Sequence, residues 1–343
     1  MDWRAKTATA DDEESAEKAE RNRKRRKIAS KVAEKGYAYT FALLPLIGFC
    51  IFSIAPIVLS IKTMFCDVKL YNPDAPMIWN DYGGFRMLFD KSYSSLATVH
   101  VTELFEKSLL ITFWIASTQI VTLIISFIMS VLLAQKLRGS KVFQVLFFIP
   151  YICSGVAVAL MWRWIFAKDG GIINSIFGIE KDWLGDGNSL TWCIIIAIIW
   201  QAPSYGTVMY HAALGNINQS LYEAASLDGA NGVQKVIHIT VPAVAPTTFY
   251  LLMAGISAGL LTYDIAALIV PNGWGSAVGG EDNMGLTLVR LVYYLMSPTI
   301  ANDPKFGGEY MSAAAIISWI LFIITATLSI IVYKVRSRSL ANG

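Results

Sequence analysis

Residues 220–242, SLYEAASLDGANGVQKVIHITVP, form a polar stretch between two long apolar runs and carry the markers of a short helix. Ser220 and Glu223 have the S-x-x-E spacing of a capping box, in which the serine hydroxyl accepts a hydrogen bond from the Glu223 amide and the glutamate carboxylate accepts one from the Ser220 amide. Gly229 can take the left-handed conformation that ends a helix. The sequence therefore predicts a helix that begins at Ser220 and ends by Gly229.

A second short helix is predicted directly after the first. The segment 231–234, NGVQ, can cap its first turn. Pro242 has no backbone N–H to continue the hydrogen-bond ladder, so we expect the second helix to stop before it. Capped helical hairpins are common connectors, so the caps alone predict a structure and no activity.

The rest of the chain is too apolar for a water-soluble protein. Of its 343 residues, 55% are hydrophobic and 15% are charged, and the mean hydropathy is +0.50. An apolar run of about twenty residues crosses about 30 Å of hydrocarbon as a helix. The sequence predicts an all-α membrane protein with six transmembrane helices, at residues 37–61, 108–135, 142–166, 191–214, 243–270 and 311–333.

A basic cluster before the first span sets the predicted orientation. It consists of Arg21, Arg23, Lys24, Arg25, Arg26, Lys27 and Lys31. Lysine and arginine stay on the cytoplasmic side, and six spans put both termini there. Residues 1–35 are then a charged cytoplasmic tail, residues 36–340 the membrane domain and residues 215–242 a cytoplasmic loop. The cluster favours contact with membrane lipid over nucleic acid, because no aromatic residues are interleaved with it.

Patterns for catalysis or metal binding are missing from the sequence. The three histidines, His100, His211 and His238, show no metal-ligand spacing. The cysteines form no CxxC pair and are expected to be small buried hydrophobic residues: Cys50, Cys66, Cys153 and Cys193. The chain has no GxxxxGK[ST] phosphate loop, so any ATP must be used by a partner. We therefore expect a protein that is not an enzyme.

The full spacing of the polar stretch resembles one family. Glu223-Ala224-Ala225, Gly229 and 239–242 (ITVP) are similar to the cytoplasmic loop of binding-protein-dependent ABC importer permeases, with valine where leucine is usual at position 241. The resemblance covers residues 37–340. Segments similar to the carbohydrate-uptake branch are 148–151 (FIPY), 161–166 (MWRWIF), 171–174 (GIIN) and 182–185 (DWLG). The family's Phe-Gln-Val-Phe-Asp-like stretch here reads LLTYD at 260–264, which leaves the identity of the substrate open.

The resemblance implies a fold, a location and a set of partners. The fold is the type I ABC importer permease fold in the plasma (inner) membrane of a prokaryote. The partners are a second permease subunit, two ATP-binding cassette subunits and an extracytoplasmic solute-binding protein that delivers a sugar. ATP and magnesium would be bound by the ATPase subunits, so this chain would hold no cofactor. The residues that would couple it to an ATPase are Glu223, Ala224, Ala225, Asp228, Gly229 and Ala230.

Candidate substrate contacts lie near the middle of the predicted spans. By alignment from Glu223, positions 200, 201 and 205 fall where a related maltose permease holds its sugar. Pro203 and Gly206 could bend this span and expose backbone carbonyls. The alternatives are that the aromatic residues pack between helices, and that the small residues at 255–259 (GISAG) form a close helix contact. The predicted pathway residues are Trp200, Gln201, Tyr205, Gly259, Thr262 and Tyr263.

Other transport functions stay open at this stage. An importer for a non-sugar solute such as a polyol phosphate would need a buried charge along the path, and none is evident. A stand-alone secondary transporter or channel would favour intramembrane titratable groups or paired broken helices. The connection 271–310 contains apolar residues at helical spacing around Arg290, so a short helix there could lie on the membrane interface or cap the bundle.

Overall fold

The computed structural model describes residues 39–69, 74–135, 139–270 and 278–341, so the predicted charged tail lies outside the described residues. Within them, β1 (Cys66–Asp67) and β2 (Ile78–Trp79) form one antiparallel pair. The helices are α1 (Tyr39–Thr63), α2 (Gly83–Phe89), α3 (Lys91–Ser94), α4 (Val101–Ala134), α5 (Ser140–Ile152), α6 (Gly155–Ile165), α7 (Ile172–Phe177), α8 (Gly187–Gln201), α9 (Pro203–Gly215), α10 (Gln219–Leu227), α11 (Gly232–Lys235), α12 (Val241–Leu260), α13 (Asp264–Ile269), α14 (Leu288–Leu295), α15 (Pro298–Ala301) and α16 (Gly307–Ala341).

The described residues confirm a mostly helical membrane protein. Five helical stretches among them are long and apolar enough to cross a membrane. They are Tyr39–Thr63 (α1), Val101–Ala134 (α4), Gly187–Gly215 (α8 with α9), Gly232–Ile269 (α11 to α13) and Gly307–Ser337 (within α16). A bent pair, formed by α5 and α6, would be a sixth span. The described residues fall into two compact units, one that ends at Lys62 and one that begins at Thr63.

The helix α1 belongs to the first unit, apart from its last residue. It contains a π turn at Cys50–Ile54, and almost all of its described side chains are exposed. The expectation that the cysteines are buried is wrong for Cys50 and for Cys153, which are both exposed, and right for Cys66 and Cys193. Exposed apolar surface on a helix of this length is typical of a segment that faces lipid.

In the second unit, the central helix is α4, which packs against α8, α9, α12 and α14. Its buried face carries short hydroxyl side chains at mostly four-residue spacing: Ser108, Thr112, Thr118, Thr122, Ser126 and Ser130. Each hydroxyl is bonded within the protein, for example from Ser126 Oγ to the Pro203 carbonyl at 2.9 Å. Small side chains let helix backbones approach closely in a membrane. A Cβ on Gly206 would lie only 2.6 Å from Ser126 Oγ, so α9 is held tightly against α4.

The predicted third span is not one helix. The helices α5 and α6 meet at an angle of 99°, with Cys153 and Ser154 in extended conformations between them. Pro150 inside α5 has no N–H and disfavours a continuous helix. The Ser154 hydroxyl then accepts from the Ala157 amide at 3.2 Å and starts the next helix. The prediction of an unbroken helix over 142–166 is therefore wrong.

The fifth span begins earlier than predicted and is interrupted later. A π turn at Val236–Thr240 joins α11 to α12, so the helix does not stop before Pro242. The wide turn directs the Val241 amide to the Val236 carbonyl, and the missing N–H of Pro242 is tolerated because the register has already shifted. The helix then ends at Leu260 and resumes at Asp264.

The short helix α14 packs on the bundle, which agrees with the capping position predicted for it. Its buried side chains include Leu288, Leu291 and Leu295, and it packs against α4 and α16. Arg290 is only 4% exposed and donates from Nη1 to the Ala266 carbonyl at 2.7 Å. Burial lowers the pKa of Arg290 to about 10, so the guanidinium is still protonated at neutral pH.

Candidate transport pathway and coupling loop

A cavity of about 530 Å³ lies between α4, α5, the end of α8, α9 and α12. Its lining residues are Gln119, Thr122, Leu123, Ser126, Tyr151, Gln201, Ala202, Tyr205, Gly206, Leu251, Ala254, Gly255 and Ala258. None of these described lining residues carries a charge. The polar groups are two amides and several hydroxyls, beside two aromatic rings and apolar or glycine surface. This combination suits a neutral, hydroxyl-rich ligand with apolar faces.

Three linked tyrosines on three helices, here called the tyrosine wall, lie at one side of the cavity. The rings of Tyr151 on α5 and Tyr205 on α9 are stacked, with centroids 5.5 Å apart and an interplanar angle of 28°. The Tyr205 hydroxyl is 3.1 Å from the hydroxyl of Tyr250 on α12. A stacked pair and a hydrogen bond thus connect the three helices, and two of the three rings line the cavity.

Gln201, which was predicted as a substrate contact, lines the cavity but has already used its amide donors. Its Nε2 donates to the carbonyls of Pro150 and Cys153, at 3.4 and 3.3 Å. Both carbonyls lie at the bend between α5 and α6, where the helical ladder is interrupted. An unpaired carbonyl in an apolar region is costly, so Gln201 stabilises the bend.

The other predicted pathway residues do not line this cavity. Trp200 packs edge to face with Trp162, with ring centroids 6.1 Å apart. Gly259 is buried against α4, where an added Cβ would lie 2.9 Å from Ala116 Cα, and this agrees with the close-contact alternative for 255–259. The Thr262 hydroxyl bonds to its own helix, at the Ala258 carbonyl.

Tyr263 lies at a second, much smaller cavity of about 50 Å³, which Arg290 also lines. Its ring stacks on Tyr293 with centroids 4.4 Å apart. Pro203 and Gly206 were predicted to bend this span and expose backbone carbonyls. The carbonyl of Pro203 itself accepts hydrogen bonds from Ser126 and Thr207. Of the six predicted pathway residues, two line the large cavity in the structure, Gln201 and Tyr205.

Several cavity residues were missed by sequence reasoning, among them Gln119, Thr122 and Tyr151. The four-residue spacing of hydroxyl side chains along α4 was visible in the sequence and indicates a buried polar face. Gln119 follows Thr118 on that helix. No motif marks it, because its position at the cavity depends on the packing of α12.

The predicted helix pair of the coupling loop is present, but its first cap differs. The helix α10 begins at Gln219, and Asn218 is its N-cap, with Oδ1 accepting from the Ser220 amide at 3.1 Å. The prediction that Ser220 caps this helix is wrong. Asparagine is as good an N-cap as serine, and Asn218 lies two residues earlier.

The end of α10 is a complete Schellman motif around Gly229. Gly229 has φ +78°, its amide donates to the Ser226 carbonyl, and the Ala230 amide donates to the Ala225 carbonyl at 2.9 Å. The predicted left-handed glycine is confirmed. The predicted second cap is also confirmed, because Asn231 and Gln234 form a reciprocal capping box with distances of 2.9 and 2.8 Å.

Side-chain bonds hold the two helices of the loop together. Lys235 Nζ donates to Ser226 Oγ at 2.6 Å, and the hydroxyls of Tyr222 and Thr240 are 2.9 Å apart. The opposite face of α10 is open, since Glu223 and Ala224 are exposed and Leu227 is 90% exposed. A rigid hairpin with an exposed leucine is a surface suited to a protein partner.

A groove of about 310 Å³ runs along the loop. Four of the six predicted coupling residues line it: Ala225, Asp228, Gly229 and Ala230. Glu223 and Ala224 lie on the exposed face of α10 instead. The structure thus brings the predicted coupling residues onto one compact hairpin, and their contact with an ATPase stays a prediction.

Comparisons with known proteins agree with this arrangement. The chain is 29% identical over 309 residues to "Probable ABC transporter permease protein YesP" of Bacillus subtilis, covering 88% of this chain and 90% of that protein. It is 31% identical to the lactose transport system permease protein LacF of Rhizobium radiobacter, over 59% of this chain and 66% of LacF. It is 27% identical to the sn-glycerol-3-phosphate transport system permease protein UgpA of Salmonella choleraesuis, over 62% of this chain and 68% of UgpA.

The fold is shared with a chain of a bacterial ABC transporter involved in the import of the acidic polysaccharide alginate, with a TM-score of 0.69 and 18% identity, covering 90% of this chain and 99% of that one. Residues 122–338, which include the cavity-lining residues from Thr122 onwards and the whole coupling loop, match the family described as "Binding-protein-dependent transport system inner membrane component". This protein is therefore an ABC transporter permease that belongs to the family of inner membrane components of binding-protein-dependent transport systems.

Proposed function

We propose that this chain is the permease subunit of an ATP-driven importer for a neutral sugar or oligosaccharide. The observation that carries the proposal is the 530 Å³ cavity, whose described lining offers amides, hydroxyls and aromatic rings and no charged side chain. Amides and hydroxyls exchange hydrogen bonds with sugar hydroxyls, and ring faces suit the apolar faces of a sugar.

The charge of the substrate is the main point on which the relatives differ. Their names refer to lactose, to sn-glycerol-3-phosphate and to acidic alginate. Moving a phosphate or a carboxylate into a cavity without a counter-charge costs several kcal/mol. A neutral substrate avoids that cost, so the lining favours a lactose-like solute over a polyol phosphate or a uronate.

The proposed assembly contains a second permease subunit, two ATP-binding cassette subunits and an extracytoplasmic solute-binding protein. Both termini and the coupling loop would lie in the cytoplasm, where the ATPase subunits bind ATP and magnesium. The exposed face of α10, with Glu223, Ala224 and Leu227, would contact an ATPase subunit. Closure of the two ATPases would move the hairpin as a unit, because its helices are bonded to each other.

The assembly is tested by purification of the chain from its own membranes in a mild detergent, followed by mass spectrometry of the proteins that come with it. We expect a second permease and an ATPase. A chain that is isolated alone, and that transports a solute alone in liposomes, would overturn the importer proposal in favour of a stand-alone transporter. The bend between α5 and α6 makes this comparison necessary, since interrupted helices are also found in such transporters.

The substrate is tested with the purified complex and its binding protein in liposomes. ATP hydrolysis and uptake are measured with neutral disaccharides and oligosaccharides, with uronate oligosaccharides and with glycerol phosphate. Stimulation by a neutral sugar is expected. Stimulation by glycerol phosphate or a uronate alone would contradict the proposed substrate class while leaving the importer assembly intact.

A further inference from the structure

The side chain of Gln119 enters the large cavity from the middle of α4, through a slot left by two glycines of α12. A Cβ added to Gly259 would lie 2.8 Å from Gln119 Cγ, and one added to Gly255 would lie 3.5 Å from Gln119 Cβ. No larger residue at position 259 leaves room for the stem of Gln119 in its present position. The glycines therefore fix where the amide of Gln119 lies.

The side-chain amide of Gln119 has one hydrogen-bond partner among the described residues, and this partner donates to the amide oxygen. The hydroxyl of Thr122, one turn further along α4, is 3.3 Å from Gln119 Oε1. The same hydroxyl is 2.9 Å from the Gln119 backbone carbonyl. In this arrangement the amide oxygen of Gln119 faces Thr122, and Nε2 donates to none of the residues that the structure describes.

The two glutamines that line the cavity are thus in opposite states. Gln201 has given its donors to the carbonyls of Pro150 and Cys153, so it is bound to the protein itself. Gln119 keeps both N–H donors available at the surface of the cavity. A free amide donor in a low-dielectric cavity gains most from a ligand that supplies an acceptor oxygen.

We propose that Gln119 is a specificity-determining residue, which donates a hydrogen bond from Nε2 to one oxygen of the transported sugar. This inference rests on the proposed function, because it takes the large cavity to be the site that the sugar occupies. A site built to pair with a given oxygen discriminates against an analogue that lacks it, since the donor is then left unpaired. Gln119 thereby selects for a hydroxyl at one position of the sugar ring.

The test uses the full importer in liposomes and a transported sugar together with its set of monodeoxy analogues. With the wild-type complex, we expect one analogue to be taken up with a KM about tenfold above that of the parent sugar. Gln119→Leu removes both amide donors and shortens the side chain by one atom. In this variant the KM of the parent sugar should rise about tenfold, and the KM of that one analogue should stay unchanged. The KM values of the two sugars would then be equal.

Two further variants keep the experiment decisive. Gln119→Asn retains the amide but withdraws it by one methylene, so it should lose the same discrimination if Gln119→Leu fails to assemble. Gln135→Leu, at the end of the same helix and exposed, is the matched control and should behave as the wild type. Assembly is checked by gel filtration and by the basal ATPase rate.

The outcomes separate this inference from the proposed function. Wild-type uptake of a sugar, with Gln119 variants that keep the wild-type discrimination or that raise every KM equally, would overturn the role of Gln119 alone. A wild-type complex that takes up no neutral sugar would overturn the proposed substrate class, and the role of Gln119 with it.

Discussion

The coupling loop and the large cavity differ in what holds their geometry. In the loop, caps and turns join residues within a few positions of one another, as in the box of Asn231 and Gln234. In the cavity, the contacts join residues that are far apart in the chain, such as Gln201 and Pro150, which are 51 positions apart. The loop is thus a local structure with an open face, and the cavity is a product of helix packing.

This difference has consequences for function. A locally determined hairpin keeps its shape when the helices around it shift, so it can transmit a push from a partner. A cavity lined by five helices changes shape whenever one of them moves, so it can bind and release a ligand. Substitutions in the loop should therefore affect coupling, whereas substitutions at the cavity should affect stability and substrate affinity.

The largest expected effect is that of Gly229→Val. The φ of +78° is unfavourable for a β-branched residue by about 2 kcal/mol, and nothing lies within 4 Å of the added Cβ, so the strain acts on the backbone alone. We expect α10 to lose its Schellman ending. If the hairpin couples the chain to an ATPase as proposed, ATP-driven uptake should fall by roughly tenfold or more. Uptake and binding-protein-stimulated ATP hydrolysis in liposomes measure the effect.

Gly232→Ala is the matched control for this variant. Gly232 lies three residues further on, starts α11, and also has nothing within 4 Å of an added Cβ, but its φ is not positive. This variant should retain wild-type uptake. Equal uptake by both variants would show that the backbone conformation at Gly229 is not needed for coupling.

The next effect is expected at the bend between α5 and α6. Gln201→Leu removes the donors to the carbonyls of Pro150 and Cys153, at a cost of about 1–3 kcal/mol. The unfolding midpoint of the purified complex should fall by about 2 °C in a thermal scan. Gln135→Leu should leave it unchanged. A Gln201→Leu complex with the wild-type midpoint would mean that these two hydrogen bonds do not stabilise the bend.

The same contrast explains how much of the structure could be predicted from the sequence. The left-handed Gly229, the cap at Asn231 and the apolar helices follow from neighbouring residues, and these predictions are confirmed. The bend at Cys153 and the continuation of the helix through Pro242 were missed. The effect of a proline depends on which groups nearby can donate hydrogen bonds to the unpaired carbonyls, and Gln201 is one such donor.

The pathway was less predictable than the loop for the same reason. Gln201 and Tyr205 were found because they lie on a span with a recognisable resemblance. Gln119 lies on a helix without a motif, and only the glycines of α12 bring it to the cavity. Spacing along one helix indicates which face is buried, but it does not indicate which distant helix leaves a space opposite that face.

A smaller effect tests which residue caps α10. Asn218→Ala removes the acceptor for the Ser220 amide and should cost about 1 kcal/mol of local stability, whereas Ser220→Ala should cost almost nothing. Hydrogen exchange of the amides in residues 219–223 of the assembled complex measures this, with about fivefold faster exchange expected for Asn218→Ala alone. If exchange were faster in Ser220→Ala instead, the result would support the capping box of Ser220 and Glu223 that the sequence predicts.

The smallest effect is expected for Tyr205→Phe. It removes the hydroxyl that lies 3.1 Å from the Tyr250 hydroxyl, but it keeps the ring that stacks on Tyr151. The hydrogen bond is exposed, so its loss should cost roughly 0.5 kcal/mol and raise the KM for sugar uptake by about twofold. Tyr250→Phe should give the same change, and the double variant should be no worse than either single one, because each removes the same bond. Additive losses would mean that the two hydroxyls act separately on the sugar, and the tyrosine wall would then be a set of binding groups and not a link between helices.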